Sequence, residues 1–395
     1  MNKKIFMYTG KGGVGKSTIS SATAIISAKK NINTILISID QAHSLSDIFE
    51  IKIGGEITKI CENLSVLEID SSKILEERFP DIKAGLADRF RKIDFSKVSY
   101  NSSVDMPFIA NILSLLKILD IYEQFDFENI IVDCPASAST FAYLKIPEML
   151  SWYLEKFFGI GKGIIRTLRP VSKYKYKINL PDNQSLDEIE IIYKRLIKLE
   201  EILKDSRIST VRLIGLAEKM VLEESKRDLS YLNLFDYNVD GFFVNRLFDD
   251  DKSDFVRKRI EIQSKHLKEI EDCFYNMPVY KIKLMKKDLI NLEDIEKFAE
   301  ELSFKDSILD IKPICESYSY EKIDDGYILR INISKIHDYD VYKKGTDINI
   351  RVDDMKRIIS LPNILIDSYI HKCVRNNDEL YIYLKVKQDK IWELL

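Results

Sequence analysis

Residues 9–18 read Thr-Gly-Lys-Gly-Gly-Val-Gly-Lys-Ser-Thr, and no other stretch of this chain restricts its fold so strongly. The apolar run Ile5-Phe6-Met7-Tyr8 precedes them, and apolar residues recur at helical spacing over residues 19–28. Strand, glycine-rich turn and helix in that order form the setting a phosphate-cradling loop requires. Gly10, Gly12, Gly13 and Gly15 let the backbone curl so that successive N–H groups, that of Val14 included, face inward. The first turn of the helix adds free N–H groups and the positive end of its dipole. Lys16 supplies a point charge for β- and γ-phosphates, the Ser17 hydroxyl suits Mg²⁺, and Thr18 suits the α-phosphate. A glycine-rich turn before a structural helix would explain the glycines, but not the complete Gly10-x4-Gly15-Lys16-Ser17 spacing.

Composition narrows what else the chain can be. Lys and Arg number 60 against 63 Asp and Glu, a net charge of −3 that argues against a general nucleic-acid binder. The five cysteines, at 61, 134, 273, 315 and 373, form no Cys-x-x-Cys pair, so they read as isolated reduced thiols rather than a zinc clip. Four scattered histidines suggest no metal cluster. No run of about eighteen apolar residues is present, which predicts no transmembrane helix. Met-Asn-Lys-Lys leads straight into a strand, which predicts no secretory leader and a cytoplasmic protein.

Further strands are expected at residues 34–39, 64–69, 129–133, 209–216, 239–246 and 277–282, with mostly helical stretches at 71–128 and 147–208 and a closing helix at 292–302. Asp40 follows the first of these runs, 34–39, and Asp133 ends the strand 129–133. In an open α/β sheet, carboxylates at strand C-termini stand where ligands bind. Asp40 there can orient an attacking water or merely cap a turn, and Asn245 can read a base edge or form a turn. Residues 108–119 are apolar on most sides, as in a buried helix or one facing a partner. Ser185-Leu186-Asp187-Glu188 reads as a capping box opening another helix. Beyond about residue 317 the period changes to two, with strands expected at 318–323, 327–333, 347–352, 356–361 and 380–386.

Several stretches carry a family resemblance. Lys11-Gly12-Gly13-Val14-Gly15-Lys16-Ser17 resembles the deviant loop of the SIMIBI class of nucleotide-dependent dimers. Asp40-Gln41-Ala42-His43-Ser44-Leu45-Ser46-Asp47 resembles switch I of the arsenical-pump and tail-anchored-protein-targeting ATPases, with Gln41 where proline is usual. Glu218-Lys219-Met220-Val221 and Glu224 resemble that family's later helix start, with Ala217 in place of proline. Cys134-Pro135-Ala136-Ser137 matches switch II in position only, lacking its glycine and histidine.

The resemblance implies a parallel-sheet α/β ATPase domain over residues 1–303, with a helical insertion at about 147–208. A linker at 304–316 and a small all-β, α-crystallin-like sandwich at 317–395 complete the expected organisation. It implies a homodimer that binds ATP and Mg²⁺. Asp40 would position water, Lys16 and the partner's Lys11 would neutralise charge, Ser17 and Asp133 would serve Mg²⁺, and Asn245 would hold adenine. The insertion, with Trp152, Tyr153, Phe157 and Phe158, serves either as core packing or as a groove for a hydrophobic client or membrane protein. An arsenite-pump motor and a nucleotide-switched scaffold are the alternatives.

Overall fold

The computed structural model describes residues 3–40, 44–69, 106–144, 146, 183–249, 253–302, 308–312, 318–332, 339–352, 355–376 and 379–385. The readings made above for residues 41–43, 71–105, 147–177 and Cys315 lie outside these. The chain divides into two compact units, one of residues 1–68, 126–137 and 203–395, the other of 69–125 and 138–202.

The first unit is built on β1 (Lys4–Gly10), β2 (Thr34–Ser38), β3 (Thr58–Cys61), β4 (Leu64–Glu68), β5 (Asn129–Ala136), β6 (Ser209–Leu216), β7 (Val239–Leu247) and β8 (Val279–Lys283). They form one sheet in the order β3-β4-β2-β5-β1-β6-β7-β8, parallel throughout except for β3 against β4. Parallel strands are covered on both faces and so read as unbroken apolar runs. Accordingly Ile5, Phe6, Met7 and Tyr8 are all buried, as are Ile35, Leu36 and Ile37. From β1 the chain passes over β5 to reach β2, and later returns to the opposite side of β1 as β6. That reversal makes the C-terminal end of β1 the crevice of the sheet.

Helices α1 (Lys16–Lys29) and α2 (Ser44–Phe49) follow β1 and β2. The next are α3 (Met106–Gln124), α4 (Ser137–Leu144) and α5 (Asn183–Lys204), then α6 (Lys219–Leu234), α7 (Asp254–Cys273) and α8 (Leu292–Glu301). Ile19 and Ile25 of α1 share a core with Phe6, Leu36 and Ile131 of the sheet and with Ile295 and Phe298 of α8. In α3, Ile112, Leu115, Leu116, Ile118 and Leu119 are buried, as its apolar composition requires.

After α8, residues 308–312 are fastened to the sheet. Arg212 of β6 is buried and pairs with Asp240 of β7 (Nε–Oδ1 2.9 Å). It also donates to Tyr8 Oη, Ile308 O and Asp310 O, and lies over the Phe6 ring. Asp240 Oδ2 accepts from the Lys312 N–H, and Lys4 Nζ donates to Leu309 O.

Two antiparallel sheets follow. One is ordered β14 (Tyr369–Asn376), β15 (Glu379–Lys385), β10 (Gly326–Asn332), β9 (Tyr318–Ile323). The other is β11 (Tyr339–Lys344), β12 (Asp347–Val352), β13 (Met355–Ser360). Leu329, Ile331, Ile382 and Leu384 from the first interdigitate with Ile348, Ile350 and Ile359 from the second, which makes a sandwich. The sandwich rests on its own chain's α6 and α7. Lys226 of α6, almost wholly buried, meets Glu223, Glu269 of α7 and Asp347 of β12 at 3.0–3.4 Å.

The α/β fold with an all-β C-terminal sandwich agrees with expectation, and several details do not. β5 runs on through Pro135 to Ala136 instead of stopping at Asp133. The β1–β5 register shifts between Tyr8 and Gly10, and this irregularity accommodates a residue without an N–H. α5 begins at Asn183, so Ser185 lies inside the helix rather than capping it. Strands β3, β11 and β14 and helix α7 were not anticipated.

Candidate functional site

The end of β1 turns at Gly10 (φ +151°), where a Cβ would stand 2.1 Å from the carbonyl oxygen of Ile214 in β6. Only glycine lets the loop leave the sheet so close to its neighbour. At Gly15 (φ +98°) a Cβ would lie 2.4 Å from the Asn245 amide nitrogen. Gly12 and Gly13 are exposed between these anchors, and Lys16, Ser17 and Thr18 open α1. Lys16 is buried with its ammonium directed at the Lys11 carbonyl (3.4 Å).

Two strand ends bring the acidic residues to this loop. Asp133 of β5 is in register with Tyr8 of β1 on one side and Ser38 of β2 on the other. Its carbonyl accepts from the Ile39 N–H, which places Asp40 immediately beyond. The Asp133 carboxylate is fully buried, and neither oxygen has a hydrogen-bond partner among the described residues. Burial pushes its carboxyl up to about 7; the nearby Ser17 hydroxyl and Lys16 ammonium pull it down, while Asp40 adds to the rise. A buried carboxylate without partners beside a serine hydroxyl is a donor set for a hard cation, since unpaired buried charge is otherwise costly. The Ser17 hydroxyl accepts from Ser44 Oγ at the start of α2 (2.9 Å). The loop, Asp40 and Asp133 are therefore brought together, and the arrangement fits a nucleotide phosphate chain with Mg²⁺.

Asn245 joins from β7, where it stands in register with Leu216 of β6. Its amide donates to Val14 O (2.9 Å) and its carbonyl accepts from the Arg246 N–H (2.8 Å). It thus buttresses the loop directly, at the side of Gly15.

Reading the sequence missed four participants. Glu68, buried at the end of β4, accepts from the N–H groups of Leu45 and Ser46 and from the Ser46 hydroxyl, which fixes the first turn of α2 beside the loop. Its partners lie 22 and 23 residues away, so no local pattern marks it. Ser137 donates to Glu224 Oε1 (2.9 Å), and Glu224 Oε2 is 3.5 Å from Lys11 Nζ. Asp228, one turn further along α6, is buried, and desolvation pushes it up to about 7. Ser137 and Glu224 fall in stretches already noted for their resemblance, but their contact with each other and with Lys11 leaves no local mark in the sequence.

Among the described residues no helix is long and apolar enough to cross a membrane. The chain is 30% identical over 397 residues to a protein of Aquifex aeolicus named as an arsenical pump-driving ATPase, covering 96% of this chain and 100% of that one. A similarly named protein of Chlorobaculum tepidum is 32% identical, over 91% and 90% of the two chains. The "ATPase get3" of Aspergillus terreus is 27% identical over 74% of this chain and 88% of its own length. Residues 324–384 match the HSP20-like domain found in ArsA. With residues 3–303 matching the anion-transporting ATPase family over the whole α/β portion just described, the chain belongs to that family, the ArsA-type ATPases.

Proposed function

We propose that this ATPase works as a Mg²⁺-dependent homodimer whose hydrolysis is coupled to binding and release of a hydrophobic client. The observation that carries the chemistry is the convergence of Gly10–Thr18, Asp40 and Asp133 at adjacent strand ends, with the Asp133 oxygens buried and without partners. Gly10, Lys11, Gly12, Gly13, Val14, Gly15, Lys16, Ser17 and Thr18 bind the triphosphate through inward N–H groups and the Lys16 ammonium. Ser17 and Asp133 would hold Mg²⁺, which would supply positive charge to offset that of the phosphate chain. Asp40 orients the attacking water in line with the γ-phosphate and accepts its proton. Lys16, with Lys11 of a second copy, stabilises the charge that develops in transit. Asn245 fixes the loop and borders the base. Catalysis on this reading is chiefly positioning and electrostatics.

Single-turnover hydrolysis tests the assignment. Asp40→Asn should bind Mg·ATP as wild type does and hydrolyse it about 10²–10⁴-fold more slowly. Equal rates in the two proteins would remove Asp40 from the chemistry.

For the coupled task, the HSP20-like match and the get3 relative support a client-binding role. ATP-dependent capture and release of a hydrophobic tail peptide is the expected result. The second reading, a motor for an arsenite pump, draws on the names of the Aquifex and Chlorobaculum relatives. Turnover stimulated by arsenite, without peptide capture, would favour it.

A further inference from the structure

Glu224 faces two parts of the site at once. Oε2 meets the Lys11 ammonium at 3.5 Å, and Oε1 accepts from the hydroxyl of Ser137, four residues beyond Asp133. Lys11 and Glu224 are both partly open to solvent, with side-chain exposures of 39% and 26%, so their contact can be exchanged. Asp228, one turn further along α6, is by contrast buried and has the Ser137 hydroxyl beside it. Lys16 cannot substitute for Lys11 in this contact, because its ammonium is turned toward the Lys11 carbonyl.

We infer that Glu224 is a positioning residue that holds Lys11 in its own subunit until a nucleotide phosphate competes for the ammonium. The inference rests on the triphosphate site proposed above. An ammonium drawn across a subunit boundary to a phosphate moves out of reach of a carboxylate held on α6 of its own chain. Binding of ATP must therefore exchange one partner for the other, and the Glu224–Lys11 contact sets a threshold against it. Once Lys11 leaves, Glu224 keeps Ser137 alone among the described residues. The same carboxylate thereby links release of the loop lysine to the segment that follows Asp133.

The test is a double-mutant cycle on the full chain, read as the dissociation constant of Mg·ATP with a fluorescent analogue. Removing the competitor should tighten binding: Glu224→Gln lowers the dissociation constant by about two- to fivefold, the range expected of a partly exposed ion pair. In a Lys11→Met background the same substitution should change nothing, because the contact it relieves is already gone. Ser137→Ala, which deletes only a hydroxyl, should move the constant the same way by less, and it serves if Glu224→Gln does not fold. An unchanged constant in Glu224→Gln, or an equal change with and without Lys11, would overturn the role of Glu224. Failure of the wild-type chain to bind Mg·ATP would instead refute the nucleotide site itself.

Discussion

At the scale of single residues, Asp133 carries the clearest physical signature. Its carboxyl, raised to about 7 by burial, compares with about 3.9 for an unfolded aspartate. Between those values the folded chain keeps a proton that the unfolded chain has released. Stability contributed there is present below about pH 4 and is lost as pH rises toward 7. Asp228, also raised to about 7, acts with the same sign. In buffer free of nucleotide and divalent cations, the unfolding midpoint should fall from pH 5 to pH 8. Asp133→Asn should be more stable than wild type at pH 8 and should abolish roughly half of that fall. An unchanged pH slope in the variant would show that this carboxylate is not held in the environment described. A cation at Ser17 and Asp133 would remove the penalty, so the residue that costs stability is the one poised for function.

At the scale of elements, the sheet is stitched across strands by a buried ion pair. Arg212 of β6 and Asp240 of β7 join β1 to the segment 308–312, which leads to the sandwich. Breaking such a pair by removing one partner leaves a buried charge uncompensated. Asp240→Ala should therefore cost about 3–5 kcal/mol in denaturant unfolding. A loss below 1 kcal/mol would mean that Arg212 finds other partners. The elements of this sheet were legible in the sequence where burial is complete: Ser209–Leu216 is an unbroken buried run and stands out at both ends. Helix α7 did not, because it buries little beyond Ile270 and Cys273 and leaves Phe255 and Ile262 exposed. Strands β11 and β14 are at sheet edges and neither fully buries a side chain, so no apolar alternation marks them. The loop, Asp40 and Asp133 could be read because motif spacing and strand ends are local properties. Glu68 and the Glu224–Ser137–Lys11 contact could not, since they depend on which distant strands and helices become neighbours.

At the scale of the whole molecule, α6 touches both working parts of the first unit. Glu224 meets Lys11 of the glycine-rich loop, while Lys226 is locked between Glu269 and Asp347 beneath the sandwich. The C-terminal domain is therefore docked in cis on the helix that holds Lys11. A loop with two lysines, one retained by its own subunit and one directed inward, is the arrangement expected if two chains share a pair of triphosphates. The most direct test is calorimetric titration of the full chain with Mg·ATP, with its assembly state followed by sedimentation in the same buffer. Saturable heat at one nucleotide per chain with formation of a dimer is the predicted result, lost in Lys16→Ala. An absence of heat at millimolar Mg·ATP, with no change in assembly, would contradict it.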